Sequence, residues 1–286
     1  MKRGINTART RHVRKICYLA LALVMAGLGG EIAFALDPMG PPASALQQGE
    51  YKAMLDYSFS QMDFDLADGK WTELLDGVFY DSGQAVDLVI KDFETHRAYA
   101  GLGYGIFDNW EVFLRAGGAK ATFGDSLWED GEDFDSNIDF AAGAGIRATF
   151  FEAGDLLLGG LLQGSYSEFD GELDAPGWPS SDFVEVKIME AQLALGATYR
   201  WTDWLSVYGG PFAHVVRGDF DDTFTFYNDE VGGLVQSHFY WYIDEGPNYG
   251  AYLGALMALG RSSAFNVELQ FTSDANAIGM GLMWRI

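Results

Sequence analysis

A chain of 286 residues with 49% hydrophobic and 15% aromatic content is long enough for one large all-β domain or two ordinary ones. Its formal charge of −23 excludes nucleic acid as a partner, because that surface demands clustered Lys and Arg. One cysteine, Cys17, leaves no pair for a disulfide.

The first 35 residues have the three regions of a secretory signal. Lys2, Arg3, Arg9, Arg11, Arg14 and Lys15 come first, then the apolar run Ile16 to Gly30, then Ala33-Phe34-Ala35 as a cleavage site. Removal of this signal, with its six basic residues and Glu31, would take 18 Lys and Arg against 41 Asp and Glu to 12 against 40, a net of −28. Residues 36–49 carry Pro38, Pro41 and Pro42 with no periodicity and are expected to be a short periplasmic linker. Residues 50–286 form the remaining domain, in which no stretch approaches the 18 consecutive apolar residues of a spanning helix.

Within that domain the apolar segments alternate with period two. Phe265, Val267, Leu269 and Phe271 oppose Asn266, Glu268 and Gln270, while Ile278, Met280, Leu282, Trp284 and Ile286 oppose Gly279, Gly281 and Arg285. Upstream, Met189 to Tyr199 and Phe140 to Ala148 repeat the pattern, with Gly, Gln, Glu and Arg on the second face. Polar-in and apolar-out is the arrangement of a barrel whose outside meets lipid.

Connections alternate in length as well. Short turns at Phe107-Asp108-Asn109, Glu152 to Asp155, Thr202-Asp203 and Gly260 to Ser262 separate long acidic stretches near 61–93, 124–137, 169–183 and 218–245, expected to be outer loops. Strands near 50–60, 94–106, 110–122, 138–151, 156–168, 184–201, 204–217, 246–259, 264–273 and 276–286 predict an all-β, transmembrane, antiparallel up-and-down β-barrel of about ten strands, with eight or twelve as alternatives. Aromatic clusters at segment ends, among them Phe107 with Trp110, Trp201 with Trp204, and Phe239 to Tyr242, suit interfacial girdles.

Two segments, "AYAGLGYGIFDNWEVFLRAGG" and the terminal "IGMGLMWRI", resemble the small outer-membrane β-barrel families that include the opacity-type and porin-like barrels. The resemblance implies a Gram-negative-type cell envelope and a C-terminal strand read by the barrel-insertion machinery, although this chain ends Trp284-Arg285-Ile286 instead of on Phe. It is a resemblance of architecture and carries no activity with it.

Alternation assigns Arg97, Glu111, Arg115, Arg147, Glu190, Gln192, Arg200, His214, Glu268, Gln270 and Arg285 to the lumen. Such groups either pair into an ion network that plugs a narrow barrel or line a water-filled pore. Asp133, Asp135, Asn137 and Asp139 alternate at oxygen-ligand spacing for calcium but lack the Gly and Glu of an EF-hand loop. The acidic loops could also share divalent cations with lipopolysaccharide phosphates. Asp221, Asp222 and His238 are the nearest approach to a catalytic constellation, and no enzyme and no cofactor are expected. Two functions follow: a porin-like passive channel, or a plugged structural or surface-interaction barrel whose loop aromatics, such as Trp128, Trp178 and Phe239 to Tyr242, meet partners.

Overall fold

Twelve strands account for nearly all of the computed structural model, which describes residues 36–44, 46–124, 133–174 and 183–286. The expected signal at 1–35, Trp128 and Trp178 lie outside the described residues. The strands are β1 (Tyr51–Leu75), β2 (Val78–Gln84), β3 (Leu88–Phe107), β4 (Trp110–Gly124), β5 (Asp133–Ser136), β6 (Asp139–Ala153), β7 (Leu156–Asp174), β8 (Phe183–Arg200), β9 (Leu205–Asn228), β10 (Gly233–Ala258), β11 (Ser263–Phe271) and β12 (Ala275–Arg285).

Ten of these are the staves of a closed antiparallel barrel in the order β1, β3, β4, β6, β7, β8, β9, β10, β11, β12. It closes where β12 returns to β1, from Lys52↔Arg285 to Met62↔Ala275. Three-dimensional closure leaves these staves no free edge, the condition for backbone to cross lipid. Tight turns at one rim join the staves; the one after β3 uses Asn109 at φ 67, a left-handed conformation Asn tolerates.

The staves run well past the belt that faces lipid. Outward side chains between Tyr51 and Phe59 of β1, and at the same level on neighbouring strands, are apolar, with Leu102, Leu114 and Leu253 each more than 60% exposed. Eight residues at ~3.3 Å and a ~40° tilt give a belt about 20 Å tall, close to that of outer-membrane-type barrels. Tyr51, Tyr104, Trp110, Trp201 and Trp284 mark one margin; Tyr57, Phe140 and Tyr166 mark the other.

From Phe59 to Leu75, β1 continues for about another 40 Å by the same geometry. The acidic stretches expected to be loops are therefore mostly strand: 61–93 holds the ends of β1 and β3 with all of β2, and 218–245 holds the β9–β10 hairpin. β11 and β12 stop short of this level, so β1 pairs directly with β10 from Leu66↔Ile243 outward, and β5 replaces β6 between β4 and β7. The upper ring thus has the eight strands β1, β3, β4, β5, β7, β8, β9 and β10. Eight strands leave an interior just wide enough for side chains to fill.

Fill it they do. Met62, Phe64, Leu66, Ile90, Phe93, Phe123, Phe134, Phe169, Val186, Phe220 and Trp241 belong to one buried cluster inside this ring. Phe93 of β3 meets Phe169 of β7 edge-on at 5.7 Å, and Phe123 of β4 reaches Phe220 of β9 at 6.3 Å, contacts that cross the barrel axis. Apolar-in and polar-out is the pattern of a water-soluble barrel, so the chain reverses its polarity between the two levels.

Candidate functional site: the closed lumen

Residues 36–44 and Leu46, in the segment 36–49 expected to be a periplasmic linker, lie inside the barrel. Leu36 and Met39 are at most 1% exposed, and Asp37, Ala43, Ser44 and Leu46 are buried too. The segment enters at the turn-bearing rim, where Gly49 donates its N–H to Gly105 O at 2.8 Å, and runs up the lumen to Leu36. Its prolines suit the place: each removes one N–H that an irregular buried backbone would otherwise leave unmatched. Lumen glycines make room for it, since a Cβ at Gly159 would fall 2.5 Å from Pro42 O and one at Gly279 would fall 2.8 Å from Pro38 Cβ.

Charge holds the segment in place. Asp37 bridges two guanidinium groups, Arg97 at 3.3 Å and Arg115 at 2.7 Å, all three 2% exposed. Arg97 is also paired with Glu190, whose second oxygen lies 3.4 Å from His214 Nε2. Arg115 sits over the Tyr99 ring at 4.6 Å. Nearer the rim, Glu111 takes Lys52 at 2.5 Å and Arg147 at 3.5 Å, and Arg147 donates to Met39 O at 2.6 Å. A third group is neutral on its donor side: Gln163 bonds Gln192, and Gln270 donates to Glu268 at 2.7 Å and to Asp37 O at 2.8 Å. Glu268 in turn accepts the Met39 N–H at 2.9 Å.

Nine of the eleven residues assigned to the lumen from sequence therefore meet in this network: Arg97, Glu111, Arg115, Arg147, Glu190, Gln192, His214, Glu268 and Gln270. Arg200 and Arg285 do not. They sit half-exposed at the rim beside Glu152 at 3.4 Å and Glu50 at 3.7 Å, because each is the last residue of its strand and its long side chain reaches water. The sequence reasoning missed Lys52, Gln163 and Asp37. Alternation with the outward Tyr51, Ala53 and Leu55 would have placed Lys52 inside; nothing marked Asp37.

The other expected sites stay apart. Asp135 is paired with Lys120 at 2.6 Å on the outer wall, the Asn137 side chain donates to Asp170 O, and Asp139 accepts the Asp170 N–H at 2.8 Å; the side chain of Asp133 lies outside the described residues. Among the described residues no three His, Asp or Glu side chains converge as a cation would require. His238 and Asp221 pair at 3.0 Å on the outward face, whereas Asp222, next in the strand, points the opposite way. The Phe239 to Tyr242 run lies in the outer ring and not at a lipid interface: Phe239 and Trp241 stack inward at 5.4 Å, and Tyr240 donates outward to Asp219 at 2.5 Å.

No protein-family model matches the chain, and no curated protein matches it by sequence. Among solved structures it is similar to the translocator domain of the autotransporter NalP from Neisseria meningitidis, at 13% identity and a TM-score of 0.42 over 98% of both chains. It is similar also to the outer membrane protease OmpT from Escherichia coli, at 12% identity and 0.45 over 83% of this chain and 97% of that one. The toluene transporter TbuX of Ralstonia pickettii gives 11% identity and 0.39 over 90% and 96%. These neighbours differ in what they do, and the membrane-spanning assignment rests on the outward apolar belt and the closed strand ring.

Proposed function

We propose that the protein is a closed outer-membrane barrel that works through its outer surface, the plugged alternative of the two sequence expectations, and not a porin-like passive channel. One observation carries this reading: the interior is filled at two levels by unrelated chemistry, the Asp37-centred network around residues 36–46 below and the phenylalanine cluster above. Either layer alone would stop hydrated ions, and the upper one needs no N-terminal segment. On this reading the charged lumen residues anchor the plug and do not select solutes. Export by a removed signal, insertion through the C-terminal strand and contact with lipopolysaccharide belong to the same proposal.

The test is conductance in a planar bilayer, using the refolded chain that begins at Leu36 and a second chain that begins at Gln47. Both are expected to insert without steady current, because Phe93, Phe123, Phe169 and Phe220 still meet across the axis. Regular single-channel steps from the longer chain would overturn the reading.

A further inference from the structure

We infer that the free edge of β2, at the tip of the outer extension, binds an extended cationic peptide segment by strand addition. The inference rests on the surface-working reading above and names its partner class. Beyond the closed ring, β1 from Lys70 to Leu75 pairs with β10 on one side and with β2 on the other, while β3 reaches up β1 only to Leu66. Among the described residues β2 pairs with β1 alone, so it is the margin of a leaf ordered β9, β10, β1, β2.

Main-chain direction can be read along this margin. Ala85, just past the strand, donates its N–H back to Gly69 O of β1 at 2.8 Å. Strand alternation then turns the N–H groups of Gln84 and Ser82 away from β1. The Ser82 N–H is held by the neighbouring Asp81 carboxylate at 2.8 Å, as expected of an edge donor without a partner strand. Folded proteins blunt such edges with Lys, Pro, charge or a bulge; β2, reading "VFYDSGQ", has the bulge at Tyr80 and the charge of Asp81 but no Lys or Pro, so the stretch from Asp81 to Gln84 stays regular and able to pair. It shows instead Val78, Phe79 and Tyr80 at 70%, 64% and 49% exposure. The outward Gln84 N–H, and the Ser82 N–H held only by its neighbour's side chain, beside exposed apolar side chains are a template for another strand.

Charge selects the strand. Glu73, Asp76 and Asp81 lie on this hairpin and Asp229 and Glu230 at the adjoining β9–β10 turn, against Lys70 alone, in a chain of net charge −23. A second copy of this chain would bring the same carboxylates against themselves, and like charges opposite one another are destabilising. Lys or Arg alternating with apolar residues would meet both the carboxylates and Phe79.

The probe is a fluorescein-labelled nine-residue peptide alternating Lys and Val, titrated by anisotropy against the full refolded chain in micelles. Two other peptides accompany it, one N-methylated at alternate residues and one with Glu for Lys. Saturable binding is expected, weakened about tenfold by N-methylation, by Glu for Lys, or by Ser82→Pro, which removes an outward donor and leaves the pairing with β1. No binding of the Lys-Val peptide would overturn the inference. So would equal binding of the N-methylated peptide, which means attraction to acidic surface only, and that arm needs no variant to fold. Conductance of the same preparation separates the two readings: a silent barrel that ignores the peptide overturns the β2 site alone, whereas a conducting one overturns the closed barrel.

Discussion

Asp37→Ala tests whether residues 36–46 are a fixed part of the fold or a tail resting in a wide lumen. The carboxylate bridges Arg97 and Arg115, and all three groups are 2% exposed. Arg97 keeps Glu190, so its loss is partial; Arg115 keeps Pro38 O at 3.3 Å, the face of Tyr99 and the more distant charge of Asp56, but loses its one direct ion pair among the described residues. Breaking a buried pair costs about 3–5 kcal/mol because a desolvated charge is left behind, and the retained contacts put this case near 3. With a urea dependence of about 3 kcal/mol per molar, the unfolding midpoint should fall by about 1 M. Tryptophan fluorescence of the chain refolded in micelles measures it. Adding Arg115→Met should recover most of the loss, since the second change removes the orphaned charge. If the segment merely rests among water, the pair is worth what a surface pair is, under about 1 kcal/mol. A shift below about 0.3 M, or no recovery in the double variant, would refute the plug as drawn.

Phe93→Ala, at a fully buried ring that touches Phe64, Phe123 and Phe169, should cost about 3–5 kcal/mol in the same unfolding assay, whereas a loosely filled outer ring would lose about 1 or less. Leu114→Arg, in the middle of the lipid belt at 69% exposure, should cost about 2–4 kcal/mol in vesicles while Thr225→Arg on the outer extension costs almost nothing; equal effects would remove the belt. Asp170 sits above the belt, where burial, and then the carboxylates of Asp139, Glu185 and Glu168, raise its pKa above 3.8. A raised folded pKa means the native state binds the proton more tightly, so wild-type stability falls as pH climbs from about 4 through that folded pKa. Asp170→Asn should therefore stabilise the protein at pH 7 and change nothing at pH 3; an effect independent of pH would contradict it.

What the sequence could reveal follows from which solvent each segment meets. Ten staves were legible because lipid outside a polar lumen imposes one alternation, and Leu55, Tyr57 and Phe59 face out together. A few residues later the parity reverses: Met62, Phe64 and Leu66 face in, and Asp63 and Asp65 face out. The same switch separates Leu193 and Leu195 from Ile188, Val186 and Val184 on β8, and Val215 from Val216 and Phe220 on β9. A rule written for lipid-facing strands sees that switch as the end of a strand followed by an acidic loop, which is how the outer part of the barrel passed for connections. Yet the switch is itself a signal. Where an apolar face changes sides without a turn residue between, the strand has left lipid for water and its interior has become an ordinary core. The plug leaves no such trace, because the lumen holds it mainly by its backbone oxygens, those of Asp37, Pro38, Met39 and Ser44, and every residue type offers those. The side chain of Asp37 is the charged exception, one acid among 41 in the chain. Its importance comes from Arg97 and Arg115, 60 and 78 residues away, and so only from closure of the barrel around it.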